Sequence, residues 1–197
     1  MTIIGITGPT GAGKTTALNE LVKLDGCIYD ADAVYHQLLK SDTALRKELE
    51  ERFGDLTGED GEFQRKKLGA IVFADENALL DLNRITHAAV KTEVLRRLED
   101  APVLAAIDAI GLFEGNLAPL CDVTVAVTAP EEARVKRLML RDGIFEDYAR
   151  SRIRAQHRED WFRERCDYVL SNNGTLDAFA TNCLAFLDTI GIMKENS

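Results

Sequence analysis

The eight residues Gly8-Pro9-Thr10-Gly11-Ala12-Gly13-Lys14-Thr15 constrain this chain more than any other feature. They satisfy the pattern GxxxxGK[ST]. They stand between an apolar run, TIIGIT at 2–7, and a stretch in which Ala17, Leu18, Leu21 and Val22 recur at helical spacing. A strand, a glycine-rich turn and a helix in that order is the context that gives the pattern meaning. Glycine lets backbone N–H groups converge on phosphate oxygens with no Cβ in the way. The amino terminus of the following helix adds partial positive charge. Lys14 would reach the β- and γ-phosphates of a nucleotide, and the Thr15 hydroxyl would ligate Mg²⁺. The expected nucleotide contacts are Gly8, Thr10, Gly11, Ala12, Gly13, Lys14, Thr15 and Thr16.

Further strands are predicted at CIYD (27–30), VLAAIDAI (103–110), VTVAVT (123–128) and YVLSN (168–172). The runs at 103 and 123 are continuously apolar, as strands buried on both faces of a parallel sheet must be. Helices are predicted at about 14–24, 32–40, 131–142, 146–160 and 175–190. Residues 76–99 read as one long helix with possible breaks. Strands separated by helices imply right-handed crossovers and a doubly wound α/β sheet. Residues 43–100 contain no convincing strand and read as a helical insertion.

Composition narrows the function. The chain has 197 residues, 46% hydrophobic and 29% charged, which excludes collagen-like and disordered classes. No apolar run approaches the about 18 residues of a membrane span. The start, MTIIGITG, lacks a basic n-region, so a cytoplasmic protein is expected. Cys27, Cys121, Cys166 and Cys183 form no CxxC pair and are expected to be reduced, buried thiols. The formal net charge of -9 argues against a nucleic-acid partner. Against that background, residues 134–165 carry ten Lys/Arg and six Asp/Glu.

The loop implies nucleotide binding but leaves the fate of the γ-phosphate open between a small-molecule phosphotransferase, a GTPase switch and a motor or regulatory module. No NKxD tetrapeptide for guanine is present, although Asp108-Ala109-Ile110-Gly111 fits the weak pattern DxxG. A phosphotransferase needs a base, an acceptor subdomain and cations. Asp32, in Asp30-Ala31-Asp32 just past the second strand, is the base candidate, because ligands of open α/β sheets bind beyond strand carboxyl ends. It could equally cap the next helix. Asp108 closes the third strand and could hold Mg²⁺ or be a solvated terminus. Glu114 is a weaker candidate for acceptor positioning.

Arg134, Arg137 and Arg141, at i, i+3 and i+7, share a helix face and could neutralise a transferring phosphoryl group. Arg150, Arg154 and Arg158 form a second stripe that could equally be a salt-bridged surface, given Glu146, Asp147 and Glu159. His36 and His87 read individually as structural.

Across nearly its whole length the chain resembles the dephospho-coenzyme A kinase family. The segments that carry the resemblance are GITGPTGAGKTT, YDADAVYHQLL, FQRKKLGAIVF with LNRITHAAV, IDAIGLFE, VTAPEEARVKRLMLRDG and CDYVLSNNGT. The chain departs from the family pattern at Pro9-Thr10, Ala12 and Thr15, and at Ile110-Gly111-Leu112. The resemblance implies transfer of the ATP γ-phosphoryl group to the ribose 3′-hydroxyl of dephospho-coenzyme A, with Mg²⁺. It implies a five-stranded parallel core (1–32, 101–133 and 161–197), a helical acceptor domain (33–100) and a lid (134–160). It makes Asp32 the base, with Lys14, Arg137 and Arg141 at the transferring group. It places Asp32, His36, Arg65, Leu68, His87, Asp108 and Glu114 at the acceptor, and Asn172 or Asn173 near the adenine. A monomer or weak homo-oligomer is expected.

Overall fold

The computed structural model describes residues 1–58 and 60–192. Glu59 in the turn-rich break and residues 193–197 of the expected core segment lie outside the described residues. In chain order the elements are β1 (Thr2–Thr7), α1 (Lys14–Val22), β2 (Cys27–Asp30), α2 (Ala31–Ser41), α3 (Thr43–Phe53), α4 (Arg65–Val72) and α5 (Glu76–Leu98). After them come β3 (Leu104–Asp108), β4 (Val123–Thr128), α6 (Glu131–Asp142), α7 (Glu146–Arg154), α8 (Glu159–Arg163), β5 (Tyr168–Ser171) and α9 (Leu176–Thr189).

The strands form one five-stranded parallel sheet in the order β2-β3-β1-β4-β5. Register pairs Thr2 with Leu104 and Ile6 with Asp108 on one side of β1. On the other side it pairs Ile4 with Val123 and Thr7 with Ala126. Side chains alternate across a strand, so Ile4, Ile6, Leu104, Ala106, Val125 and Val127 face one way. They meet Leu18 and Leu21 of α1 and Phe179, Phe186 and Leu187 of α9 in one apolar cluster. Each fully buried Leu, Ile or Phe there contributes roughly 1.5–3 kcal/mol. On the opposite face Gly5 leaves no room for a side chain: a Cβ would sit 2.7 Å from Cys121 Sγ and 2.9 Å from Leu112 Cδ2. This close approach brings the segment after β3 against the sheet centre.

The chain divides into two compact units. The first, residues 1–29, 101–112 and 118–197, holds the sheet and its helices. The second, residues 30–100 and 113–117, is helical. Its core gathers Val34, Leu38, Leu45, Leu49, Leu68, Ile85, Val90 and Val94, all under a tenth exposed. α5 runs 23 residues without a break, buried at Ala78, Ile85, Thr86, Val90, Val94 and Leu98. Asp75 starts it by accepting from the Asn77 N–H at 2.9 Å. No strand lies between 43 and 100 among the described residues, only an isolated bridge of Thr57 to Phe63.

Three local expectations change. The helix expected over 146–160 is two helices, α7 and α8. Between them Gln156 reaches Thr10, Arg158 becomes the extended N-cap of α8, and Glu159 and Asp160 fill the favoured acidic positions of a new first turn. Arg158 therefore does not continue the stripe of Arg150 and Arg154. The cap of α2 is Asp30, whose carboxylate accepts the Ala33 N–H at 3.0 Å, and Asp32 occupies the first turn instead. Of the four free thiols only Cys183 is fully buried; the other three are half-buried. Burial, the dominant cause, pushes the Cys121 and Cys183 thiols up to about 12 and that of Cys166 to about 11.

Candidate nucleotide and acceptor sites

The glycine loop owes its path to three close approaches. Gly8, Gly11 and Gly13 all have positive φ, at 132°, 77° and 103°. A Cβ on Gly8 would collide with the Val127 carbonyl of β4, and one on Gly13 with the Asn172 amide. One on Gly11 would lie 2.9 Å from the Arg134 carbonyl of α6. Only glycine tolerates both the backbone angle and the contact.

The loop's carbonyls are held from outside. Arg137 Nη1 donates to Gly11 O at 3.2 Å and Ala12 O at 3.0 Å, and its Nη2 to Asn172 O at 3.4 Å. Asn172 Nδ2 adds a bond to Ala12 O at 2.9 Å. Arg134 Nε donates to Thr10 O at 2.9 Å, and the Thr10 N–H donates to Gln156 Oε1 at 2.8 Å. A trans peptide points its N–H opposite its carbonyl, so the Gly11 and Gly13 amides turn the other way, into the loop. Gly13 caps α1 in the left-handed region with no side-chain cap. The Lys14 and Thr15 amides at the start of that helix thus keep their capacity for an anion, while the Thr16 N–H donates to Gly13 O at 3.1 Å. Lys14 folds back over the loop, with Nζ 3.4 Å from Gly8 O and 3.8 Å from Asp108 Oδ1 at the end of β3.

Gln156 was not among the expected contacts, and Arg134, expected over a transferring phosphoryl group, instead holds the Thr10 carbonyl. For Arg134 a signal was present: a cation in the first turns of a helix opposes the macrodipole. For Gln156 no local signal exists, because its partner is 146 residues away. Arg134 is buried, and desolvation draws its pKa below the usual range while Glu131 and Glu159 oppose that shift. Arg141 stands apart from the loop. It forks onto Asp142 at 2.7 and 3.0 Å, and its side chain is 60% exposed. Arg150 is ion-paired with Glu131, Glu132 and Glu146. Thr15 is exposed and Thr16 half-buried at the start of α1; Asn173 is exposed beside buried Asn172.

The helical unit holds the other expected residues. A cavity of about 1170 Å³ is lined by Tyr35, Phe63, Arg65, Leu68, Phe73 and Leu82 among others. Its lining is largely apolar, with Arg65, Lys66 and Lys67 and the acids Asp60 and Glu62 among the charged residues. Arg65 Nη2 approaches His36 Nε2 at 3.5 Å, and His36 Nδ1 is buried without a hydrogen-bond partner. Burial raises the Tyr35 pKa, with Arg65 opposing. Asp32 is exposed on α2, Glu114 is exposed and His87 is half-buried on α5. His87, Asp32 and Glu114 do not line the cavity. No group of three or more His, Cys, Asp or Glu forms a metal cluster among the described residues.

A parallel sheet whose central strand runs through a glycine loop into an uncapped helix, with a lysine over the loop, defines a nucleotide-binding fold of the P-loop kinase class. A solved structure of dephospho-CoA kinase from Campylobacter jejuni shares this fold, at TM-score 0.66 and 23% identity over 95% of this chain and 96% of that one. A solved Thermus thermophilus protein superposes at TM-score 0.80, with 31% identity over 96% of this chain and 97% of that one. The family model for dephospho-CoA kinase matches residues 2–178. A dephospho-CoA kinase of Corynebacterium diphtheriae is 35% identical over 182 residues, 90% of this chain and 91% of that protein. The chain belongs to the dephospho-CoA kinase family.

Proposed function

We propose that this protein transfers the γ-phosphoryl group of ATP to the ribose 3′-hydroxyl of dephospho-coenzyme A. The observation that carries the reading is the glycine loop with its carbonyls bonded outward, its Gly11 and Gly13 amides turned inward and Lys14 above it, in a chain of this family. Asp32 is the base. It accepts the hydroxyl proton as the 3′-oxygen attacks the γ-phosphorus and the bond to the β–γ bridging oxygen breaks, releasing ADP. Its exposure in the first turn of α2, with capping left to Asp30, supports that role. Lys14 and the loop amides stabilise the phosphates. Arg137 holds the loop from its carbonyl side, and Arg141, exposed in the segment 134–160 read as a lid, would reach the transferring group only by leaving Asp142 as that segment closes.

The Thr15 hydroxyl and the Asp108 carboxylate are hard oxygen donors and suit Mg²⁺, which keeps several waters and shares phosphate oxygens. When bound, the ion neutralises phosphate charge; the two residues would hold it or its waters. The 1170 Å³ cavity, largely apolar with Arg65, Lys66 and Lys67 among its charged lining, suits the pantetheine arm and pyrophosphate of the acceptor; Arg65 and Leu68 line it, and His36 stands beside Arg65. His87 and Glu114 contribute to the acceptor site from outside that cavity, and Asn173, exposed beside Asn172, meets the adenine. The acidic balance supports the absence of a nucleic-acid partner. No helix among the described residues is long and apolar enough to cross a membrane. With free thiols, that fits a cytoplasmic enzyme, monomeric or weakly self-associating.

The test is an acceptor panel with purified protein, ATP and Mg²⁺, following ADP release. Dephospho-coenzyme A is expected to be used far faster than nucleosides or sugars. Comparable rates across the panel would point to a kinase of another acceptor class, and ATP binding without turnover to a regulatory module.

A further inference from the structure

Arg134 carries more charge than its hydrogen bonding requires. The residue is only 5% exposed. Its Nε braces the Thr10 carbonyl, a task an uncharged amide could perform. Its Nη2 is buried with no hydrogen-bond partner. Leaving a charged donor unpaired in a protein interior is costly, and such groups call for an explanation. Its place near the amino terminus of α6 adds to that cost. The two acids whose fields it feels are already engaged: Glu131 with Arg150 at 3.2 Å, and Glu159 with Arg163 at 2.5 Å. The guanidinium is therefore a weakly compensated positive charge packed directly against the glycine loop, with its own Cα 3.2 Å from where a Gly11 Cβ would stand.

We infer that Arg134 is a positioning residue for the nucleotide: it fixes the loop at Thr10 and places beneath it a buried cation that strengthens binding of a triphosphate. The inference rests on the reading of the loop as the ATP site. Buried charge is poorly screened, so it acts on a polyanion without touching it. The effect belongs to nucleotide affinity, because the charge is present equally before and during phosphoryl transfer.

The experiment compares wild type, Arg134→Gln, Arg134→Lys and Gln156→Glu. Calorimetric titration gives ATP affinity, and steady-state assays give both KM values and kcat. Arg134→Gln keeps an amide donor for Thr10 but removes the charge. It is expected to weaken ATP binding about tenfold, with kcat and the dephospho-coenzyme A KM moved less than about threefold. Arg134→Lys, which keeps the charge, is expected to recover most of the affinity. Gln156→Glu still accepts the Thr10 N–H but sets a carboxylate beside Thr10, and is expected to weaken ATP several-fold. This variant decides the matter should changes at Arg134 prevent folding, as thermal melts would show.

Arg134→Gln binding ATP within about twofold of wild type would overturn the inference. So would Arg134→Lys failing as badly as Arg134→Gln, or Gln156→Glu leaving affinity unchanged. A wild-type protein that does not bind ATP would instead overturn the functional reading itself.

Discussion

The sharpest structural prediction concerns Gly8. Its φ of 132° lies where side chains are disfavoured, and a Cβ would run into the Val127 carbonyl. Gly143, the C-cap of α6, offers an internal control: its φ is 64°, yet nothing lies within 4 Å of its would-be Cβ. Gly143→Ala thus suffers the backbone penalty alone, about 1–2 kcal/mol. Gly8→Ala adds a collision with the backbone of a central strand, where overpacking costs a further 1–3 kcal/mol or so. For a chain of this size each kcal/mol lowers Tm by about 2–4 °C. Differential scanning calorimetry should then show a loss of roughly 2–8 °C for Gly143→Ala and roughly twice that for Gly8→Ala. Only Gly8→Ala should also weaken ATP binding, because relieving the contact moves the loop off β4. Equal losses from the two variants, with ATP affinity intact in both, would refute the claim that close approach to Val127 shapes the loop.

Asp32→Asn should bind ATP within about twofold of wild type while kcat falls by roughly 10²–10⁴ in the coupled ADP assay, and near-normal turnover would remove Asp32 as the base. Glu93 gives a pH prediction. Hydrogen bonds from Arg96, then Arg97, lower its carboxyl from an ordinary 4.5 to about 2. A depressed folded value stabilises above the unfolded pKa and fades as pH falls through the folded one. The Tm gap between wild type and Glu93→Gln should be full at neutral pH and should narrow as pH drops from 4.5 toward about 2. A gap that held constant down to acid pH would show that the two arginines do not govern the carboxylate.

What could be read from the sequence was set by local physics. The glycine loop declared itself because its chemistry is contiguous: glycines, lysine and threonine lie within eight residues. The strands at 104 and 123 declared themselves because strands buried on both faces are dominated by apolar residues, here with only threonines and a terminal aspartate between them. The residues 30–32 were ambiguous for an equally local reason, since two carboxylates two apart can each cap a helix. Only the extended φ and ψ of Asp30, at -77° and 111°, decide it. The split of 146–160 was invisible, because it depends on Gln156 finding a backbone amide at Thr10 across the fold. Arg134, Arg137 and Arg141 do follow helical spacing, but Arg141 sits in the last turn of α6 beside Asp142, which captures it.

The arginines on the loop change how the cations of such a site are best understood. A guanidinium has no acceptor capacity, so its donors must find oxygens. At Arg137 three of those bonds go to main-chain carbonyls, of Gly11, Ala12 and Asn172. At Arg134 one goes to Thr10. These bonds run from side chain to main chain within the protein, so the fold itself contributes to the loop's shape. Ordering a glycine-rich segment costs about 1–2 kcal/mol per residue in backbone entropy, and a ligand that had to impose the loop's shape would lose that much affinity. Folding has already met the cost here, through cations whose charge then stands behind the loop. Preorganisation and electrostatics are supplied by the same side chains. A neutral brace at either position would preserve the first and forfeit the second.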